Sequence, residues 1–109
     1  MNDVVIGKGK LAGKGIYANR DFKKGEIVIK YNLKPLNPDE FNALPDWEKE
    51  FTHTQFGNLN LYSVPERYVN HSDKPNTYQD FKNGGADIAL RDIKKGEEIT
   101  TDATKDDIS

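Results

Sequence analysis

Short apolar runs separated by polar turns make up most of the sequence, and their length predicts strands rather than helices. Such runs stand at positions 4–6, 27–31, 52–56, 59–62, 77–81 and 86–90. They contain β-branched and aromatic residues, and glycine or asparagine commonly bounds them, as is typical of strands joined by turns. Together with the runs around Ile16 and Ile99 they predict about eight short strands, little helix and a mainly β fold.

One segment departs from this pattern and predicts a short helical insert over about residues 37–51. Asn37 is a candidate N-cap, Pro38 suits the first helical position, and acidic residues follow in the first turn. Pro45 then interrupts the helix, because proline lacks the amide donor that a continuing helix needs. The segment 46–51 predicts one further helical turn.

A short segment occurs twice, first as Arg20–Glu26 and again near the C-terminus as Arg91–Glu97. Each copy reads Arg-Asp-apolar-Lys-Lys-Gly-Glu. Its Lys-Lys-Gly-Glu part predicts a tight turn with glycine at a positive φ. We therefore expect similar turn-and-strand corners at both ends of the fold. A solenoid is not expected, since it needs at least about three repeats.

Composition restricts the class of protein. The length of 109 residues predicts one domain over residues 1–109. No run of about 18 apolar residues is present, so a membrane span is not expected. The sequence has no cysteine and its first residues show no signal-peptide pattern. These features favour a reducing, intracellular location and exclude disulfides and thiolate metal sites.

Three other kinds of site are disfavoured. Glycines at positions 7, 9, 13 and 15 suggest a phosphate loop, but a β-rich run follows them and Gly-Lys-Ser/Thr is absent. Turns and close backbone approach explain these glycines better. His53 has no partner at metal-ligand spacing. The net charge of -2 argues against nucleic acid as the main partner and suits a basic peptide.

The densest polar stretch is Arg67–Asn76, which contains one of the two histidines of the chain, His71. Pro75 pushes Lys74 out of the helical region, and the asparagine, serine and aspartate side chains here bond to nearby backbone and build turns. Tyr68 and Val69 lead into the stretch from the apolar side. The composition fits a site held by the core, and it also fits an ordinary tight turn.

Three segments in a fixed order resemble the SET-domain protein lysine methyltransferases. They are Gly13–Ala18, then Arg67–Ser72 followed by Pro75-Asn76, then Gly96–Asp102. The corresponding family patterns are Gly-x-Gly-aromatic-Ala, Asn-His-Ser with a following Pro-Asn, and Gly-Glu-Glu-apolar-Thr-x-Asp-Tyr. The resemblance covers about residues 11–102 and points to the short microbial or viral members. The duplicated unit also resembles the β-clip element of SAF-type domains, which would leave Asn-His-Ser unexplained.

The resemblance implies a β-clip fold of small curled sheets, in which the C-terminal segment forms a pseudoknot with the central stretch. It also implies S-adenosyl-L-methionine as the cofactor. The candidate cofactor-binding residues that follow from the motifs are Lys14, Gly15, Tyr17, Arg67, Asn70 and His71. Glycine lets backbone approach a folded cofactor closely, and asparagine offers both a donor and an acceptor. For Arg67 a surface role is the alternative.

The activity implied by the resemblance is transfer of a methyl group to a lysine side chain of a basic protein or peptide, with histones among the candidates. The transfer needs a neutral amine, although free lysine titrates near pH 10.4. Burial and nearby positive charge must therefore favour deprotonation, and the reacting atoms must be aligned. Tyr31 matches a channel tyrosine of the family, and Tyr78 is a looser candidate. The alternative for Tyr31 is a half-buried strand aromatic.

The sequence departs from the family pattern in two places. Ala103 stands where the family has the tyrosine credited with aligning the amine. We therefore expect a chain that binds the cofactor but methylates weakly, or an inactive binding module. The acidic tail, residues 102–109, lacks an aromatic that could close the cofactor pocket, and we expect it to pack weakly. We therefore expect either a cofactor site that is open and weak, or one that a second copy of the chain completes in a homodimer.

Overall fold

The computed structural model describes residues 3–9 and 13–107, which contain ten strands, two α-helices and three short 3₁₀ segments. The strands are β1 (Val4–Lys8), β2 (Lys14–Ala18), β3 (Ile27–Lys30), β4 (Lys34–Pro35), β5 (Thr52–Gln55), β6 (Asn58–Leu61), β7 (Asn70–His71), β8 (Thr77–Asp80), β9 (Ala86–Ala89) and β10 (Glu98–Thr101). The helices are α1 (Pro38–Ala43) and α2 (Asp46–Lys49), and the 3₁₀ segments are Glu66–Tyr68, Lys82–Gly84 and Ala103–Lys105. The mainly β fold is confirmed. The strands that the sequence did not predict, β4 and β7, have two residues each and leave no periodic signal.

The helical insert forms where the sequence predicts it. Asn37 caps α1 in a reciprocal capping box, because Glu40 N donates to Asn37 Oδ1 at 2.8 Å and Asn37 N donates to Glu40 Oε1 at 3.0 Å. Pro45 separates α1 from α2. Neither helix contains a buried residue, so the insert lies on the surface. Within residues 3–9 and 13–107, no helix has the length and apolar character that crossing a membrane requires.

The strands form three small sheets with the orders β1-β2-β10-β7, β3-β9-β8 and β4-β6-β5. In the first sheet β10 pairs antiparallel with β2, with Ile99 opposite Ile16. On its other side β10 pairs parallel with β7, with Thr100 opposite Asn70. The C-terminal strand therefore runs between the first hairpin and the central polar stretch, as the predicted pseudoknot requires.

The side chain of Asn76 fastens the central stretch to β10. Thr100 N donates to Asn76 Oδ1 at 2.8 Å, and Asn76 Nδ2 donates to Glu98 O at 2.8 Å. Thr77 adds a hydroxyl bond to Thr100 O at 2.7 Å. Asn76 is only 3% exposed, so these bonds are shielded from water. The Pro-Asn turn thus has a structural role in holding the site.

The duplicated segments pair with each other and form one corner of the molecule. Phe22 N donates to Ile93 O at 2.7 Å, and Ile93 N donates to Phe22 O at 2.8 Å. Both side chains are 1% exposed and belong to the core. The turn glycines Gly25 and Gly96 have φ angles of 89° and 93°, as predicted. The equivalence of the two copies in sequence therefore continues as a local two-fold arrangement in space.

This two-fold arrangement predicts equal losses of stability for substitutions at Asp21 and Asp92, which are far apart in the sequence. Asp21 Oδ1 accepts from Lys95 N at 2.8 Å, and Asp92 Oδ1 accepts from Lys24 N at 2.9 Å. We expect Asp21→Ala and Asp92→Ala each to lower the free energy of unfolding by about 1 kcal/mol, since each removes a charge-assisted bond to backbone. Urea unfolding measures both, with exposed Glu50→Ala as control. Losses that differ severalfold would contradict the equivalence.

The expectation that the acidic tail packs weakly is wrong for residues 102–107. Asp106 is 9% exposed, and its Oδ1 accepts from Gln79 Nε2 at 2.7 Å. Gln55 Nε2 donates to the backbone oxygen of Asp106. Asp107 Oδ1 accepts from Thr54 N at 2.7 Å. The tail docks because β5 and β8 offer donors to its acidic side chains, which composition alone does not reveal. Residues 108 and 109 lie outside the described residues.

Candidate functional site

Asn70 joins the first hairpin to the C-terminal strand. Its Nδ2 donates to Lys14 O at 3.0 Å and to Glu98 Oε2 at 2.9 Å. Both amide hydrogens are therefore used, and the orientation of the amide group is fixed. In the described part of the chain, Asn70 Oδ1 has no donor. This oxygen can accept a hydrogen bond from a ligand, such as one carrying an ammonium group.

Gly15 is required at this junction for close approach. A Cβ atom at this position would lie 2.6 Å from Glu98 Oε2, 3.0 Å from Gly9 Cα and 3.3 Å from Asn70 Nδ2. Any side chain would displace the carboxylate or the backbone that it meets. The second glycine of Gly-Lys-Gly thus has a spatial reason. Glu98, which the sequence showed only as part of a motif, belongs to the site with it.

Within the described residues, of Lys14 and Tyr17 only Lys14 bonds to Asn70, through its backbone carbonyl. Lys14 Nζ lies 5.0 Å from the centre of the Tyr68 ring, and the Tyr17 hydroxyl donates to Lys8 O. These contacts direct both side chains to other parts of the protein. The Lys14 carbonyl remains in the site as the acceptor for Asn70.

His71 connects the central stretch to position 103. Ala103 N donates to His71 Nδ1 at 3.1 Å, so this nitrogen is the acceptor and Nε2 carries the ring proton. Nε2 lies 3.1 Å from Asp73 Oδ1, which accepts a hydrogen bond from it. The neighbouring Asp102 side chain accepts bonds from Thr104, which lower the pKa of the Asp102 carboxyl. The geometry places Ala103 directly beside the predicted cofactor residues.

A cavity of about 610 Å³ opens beside Asn70 and His71. Glu98 and Asn76 also line it, and an ion pair between Arg91 Nη2 and Glu97 Oε1 at 3.2 Å lies in its wall. Its volume falls within the range of about 300–1,000 Å³ that is usual for cofactor sites. The structure therefore brings Asn70 and His71 together at one opening, with Gly15 and Lys14 behind Asn70.

Arg67 does not line this cavity. Its Nε donates to Tyr62 O at 2.8 Å, its Nη1 lies 3.2 Å from Glu48 Oε1, and its guanidinium stacks 4.7 Å from the centre of the Phe51 ring. These contacts bind the central stretch to α2 and the segment that follows it. The structure therefore gives the Arg67 side chain contacts of a structural kind.

Tyr31 lies in a second region of the molecule, around a cavity of about 620 Å³. Its ring centre is 5.7 Å from that of Tyr62 and 5.9 Å from that of Phe81. Its hydroxyl donates to Asp87 Oδ1, and the residue is 7% exposed. Tyr78 is 44% exposed on β8 and does not line this cavity. The two predicted tyrosines are therefore in different environments.

Burial dominates the electrostatics around Tyr31. It raises the pKa of Asp87 to about 7, although the bond from the Tyr31 hydroxyl opposes this rise. Burial also raises the pKa of Tyr31 and of Tyr62 well above the usual range, with negative charge from Asp106 adding to the effect. Sequence reasoning missed Asp87. The signal available was a lone acid within the apolar run 86–90.

Ala103 is linked through its backbone to His71 and to Asp106. Its amide contacts His71, which lines the first cavity, and Asp106 on the next turn acts on the tyrosines of the second. The side chain at this half-buried position is only a methyl group. Because these links use the backbone, the side chain at position 103 can change while they persist.

The chain belongs to the SET domain family, whose sequence profile matches residues 13–102. The match runs through the C-terminal third, the part for which a SAF-type domain was the alternative. The three motifs and the fold agree with this membership. The small sheets, the parallel pairing of β7 with β10 and the Asn70 junction are the features that positioned the site.

Among curated proteins, the chain is 30% identical over 92% of its length to the variant-silencing SET domain-containing protein of Plasmodium falciparum (isolate 3D7). It is 29% identical over 95% of its length to the H3 lysine-36 specific histone-lysine N-methyltransferase of Candida glabrata. The chain spans 5% and 17% of these two relatives. It therefore corresponds to a small part of each of them.

Solved structures show the same fold. A crystal structure of a candidate histone methyltransferase from Plasmodium falciparum has a TM-score of 0.76 at 23% identity, covering 94% of this chain and 93% of that one. A humanized mutant of the Chaetomium thermophilum Polycomb Repressive Complex 2, bound to an inhibitor, has a TM-score of 0.74 at 26% identity. That match covers 94% of this chain and 15% of the other.

Proposed function

We propose that this chain transfers a methyl group from S-adenosyl-L-methionine to the side chain of a lysine in a basic protein. The observation that carries the proposal is the fixed amide of Asn70, whose Oδ1 is left as an acceptor beside a cavity of about 610 Å³. Membership of the SET domain family supports it, as do relatives named as histone-lysine N-methyltransferases. Histones are therefore the first substrates to test.

The residues around Asn70 fit this cofactor. Bound S-adenosyl-L-methionine supplies an electrophilic methyl group on a positively charged sulfur. The Asn70 oxygen and the nearby Glu98 carboxylate suit the cofactor's ammonium group, because both are acceptors in a partly dry site. Gly15 leaves its backbone open to close approach. His71 lines the same opening and would hold the adenine end.

The region around Tyr31 is the proposed lysine site. The rings of Tyr31 and Phe81 line the cavity and can pack along an aliphatic stem, and aromatic faces attract a cation; Tyr62 packs against Tyr31. The carboxylates of Asp87 and Asp106 add negative charge nearby. These residues would hold the amine in place, and alignment with the methyl group would depend on position 103, where the family motif has a tyrosine.

The second candidate is a binding module with little or no methyl transfer. The methyl side chain of Ala103 favours it, because this position offers the amine no hydroxyl. Both candidates include cofactor binding and differ in turnover on lysine. In either, the cofactor site is open as the chain stands or is completed by a second copy in a homodimer, since residues 102–107 include no aromatic side chain.

Calorimetry with S-adenosyl-L-methionine and with its demethylated product tests the cofactor site. We expect both to bind the unchanged chain, and Asn70→Ala to weaken binding at least about tenfold, since a bond to a charged group is lost. Gly15→Ala should weaken binding comparably. Exposed Asn42→Ala is the matched control, expected to bind normally. Absence of binding to the unchanged chain would refute the proposed cofactor, and equal affinity in Asn70→Ala would refute the assignment of Asn70.

Methyl acceptors are then tested with recombinant histones and radiolabelled cofactor. Labelling of a histone by the unchanged chain supports the methyltransferase. Cofactor binding without labelling of any histone or basic protein favours the binding module instead.

A further inference from the structure

The carboxylate of Asp87 is buried without a cation. Asp87 is 1% exposed on β9, between the edge strands of its sheet. Across residues 3–9 and 13–107, its side chain accepts one hydrogen bond, from the Tyr31 hydroxyl, and forms no ion pair. Burying a carboxylate that accepts a single hydrogen bond is energetically unfavourable, because the charge loses its hydration. A cationic ligand would offset that cost.

A second buried carboxylate, Glu66, adds to the negative charge. Glu66 is 4% exposed, and its Oε2 accepts from Asn32 N at 2.7 Å and from Ser63 N at 3.3 Å. Its Oε1 is buried and finds no hydrogen-bond partner within the described residues. The charge of Glu66 helps to raise the pKa of Asp87, so the two groups interact. The region therefore holds negative charge that its own side chains do not neutralise.

Tyr31 connects this charge to an opening. The residue lines the cavity of about 620 Å³, together with Gln55, Asn60 and Phe81. Its hydroxyl is at the same time the donor to Asp87. Because the phenol hydrogen points to the carboxylate, the lone pairs of the phenol oxygen remain for another donor. A single side chain thus stands between the cavity and the buried acid.

Resting on the methyl transfer proposed above, we propose that Tyr31 and Asp87 form a proton relay that deprotonates the substrate lysine. A bond between nitrogen and hydrogen of the lysine ammonium breaks, and its proton passes to the phenol oxygen of Tyr31. The phenol's own hydrogen passes to Asp87 Oδ1. Ammonium and carboxylate thereby become neutral amine and carboxylic acid, and Tyr31 ends as it began. Water takes the proton from Asp87 when the product leaves, which resets the relay.

Burial makes this proton transfer less unfavourable, because it raises the pKa of the acid and lowers the pKa of the amine. Free lysine titrates near pH 10.4 and a free aspartate near 3.9, so transfer between them in water is strongly unfavourable. Burial raises the pKa of Asp87 to about 7. Burial of the amine in the same region lowers the pKa of the amine. The two values converge, and the transfer becomes accessible.

The relay has a defined dependence on pH, because Asp87 must start as a carboxylate. As the pH falls through about 7, Asp87 becomes protonated and can no longer accept a proton. The groups that face it are Tyr31 directly after β3, Tyr62 after β6, Glu66 in the first 3₁₀ segment and Asp106 in the tail. None of the four is a cation; the two phenols are neutral, and the charges of Glu66 and Asp106 help to raise the pKa of Asp87.

The test uses n-butylamine, which carries the stem and amine of lysine and needs no substrate sequence. Calorimetry at pH 8 in two buffers of different ionisation enthalpy counts the protons released on binding, and nitrogen-15 NMR reports the charge of the bound amine. In the unchanged chain we expect almost no proton release and a neutral bound amine, because the proton stays on Asp87. In Asp87→Asn we expect release of about one proton per amine and weaker binding, since the amine must lose its proton to the buffer.

Tyr31→Phe keeps the carboxylate and removes the phenol oxygen, and we expect it to release about one proton as well. Exposed Asp39→Asn is the matched control and should behave as the unchanged chain. Circular dichroism establishes that each variant is folded. A charged bound amine in the unchanged chain, equal proton release in Asp87→Asn, or no amine binding would each overturn the relay. Failure of the proposed function itself is seen separately, as loss of S-adenosyl-L-methionine binding in the calorimetry above.

Discussion

Asp87→Asn is expected to raise the free energy of unfolding at pH 8 by up to about 4 kcal/mol. Burial raises the pKa of Asp87 from 3.8 to about 7 in the folded protein. Each pH unit corresponds to about 1.4 kcal/mol, so keeping this carboxylate ionised in the core at pH 8 costs about 4 kcal/mol. Asparagine is neutral at every pH and can still accept the bond from Tyr31.

The stability of the protein depends on pH because the folded state holds the proton on Asp87 up to a higher pH than the unfolded state does. Between pH 3.8 and about 7 the folded state keeps a proton on Asp87 that the unfolded state has lost. Stability of the unchanged chain therefore falls as the pH rises through this window. The gain from Asp87→Asn should be largest above pH 7, shrink as the pH falls and vanish below about pH 4.

Urea unfolding at pH 8, 6 and 4 measures this difference. Exposed Asp39→Asn controls for the change in net charge and should give no gain. A less stable Asp87→Asn at pH 8 would mean that the bond between Tyr31 and the carboxylate outweighs the cost of burial. A stabilised variant would identify Asp87 as an acid that the fold tolerates at a cost, which fits a functional role for its charge.

Local signals in the sequence were sufficient for the parts of the fold that depend on neighbours in the chain. The N-cap at Asn37 and the glycine turns of the duplicated unit formed as expected, because each depends on a few consecutive residues. The two-residue strand β7 could not be foreseen from local pattern, since its pairing with β10 joins residues about thirty apart. The family resemblance implied only that the C-terminal segment forms a pseudoknot with the central stretch.

The residues of the candidate site likewise fall into those that the sequence indicated and those that it did not. Motif residues Asn70 and His71 line one cavity, and Gly15 packs against Asn70. Asp87 and Glu66 carry no motif, and only tertiary packing decides that their carboxylates are buried. Sequence composition likewise gave no indication that the tail would find donors on β5 and β8. What escaped prediction was burial of polar groups, which depends on contacts between distant segments.

Ala103→Tyr is expected to increase methyl transfer to a lysine acceptor by about 100-fold, the scale on which misplacement of a reacting group affects rates. The family motif has a tyrosine at this position, so the substitution restores a hydroxyl that the proposed mechanism uses to align the amine, and it fills space. The Ala103 amide, not its side chain, bonds to His71, so that contact can persist in the variant. Initial rates with radiolabelled cofactor and recombinant histones measure the change.

Ala103→Phe separates the two effects of the tyrosine, because it fills the same space without supplying a hydroxyl. If the hydroxyl aligns the amine, Ala103→Phe should gain much less than Ala103→Tyr. Equal gains would assign the effect to excluded water and packing. An unchanged chain that already transfers methyl groups as fast as Ala103→Tyr would show that the alanine is no impairment, and that Tyr31, held by Asp87, suffices to position the amine.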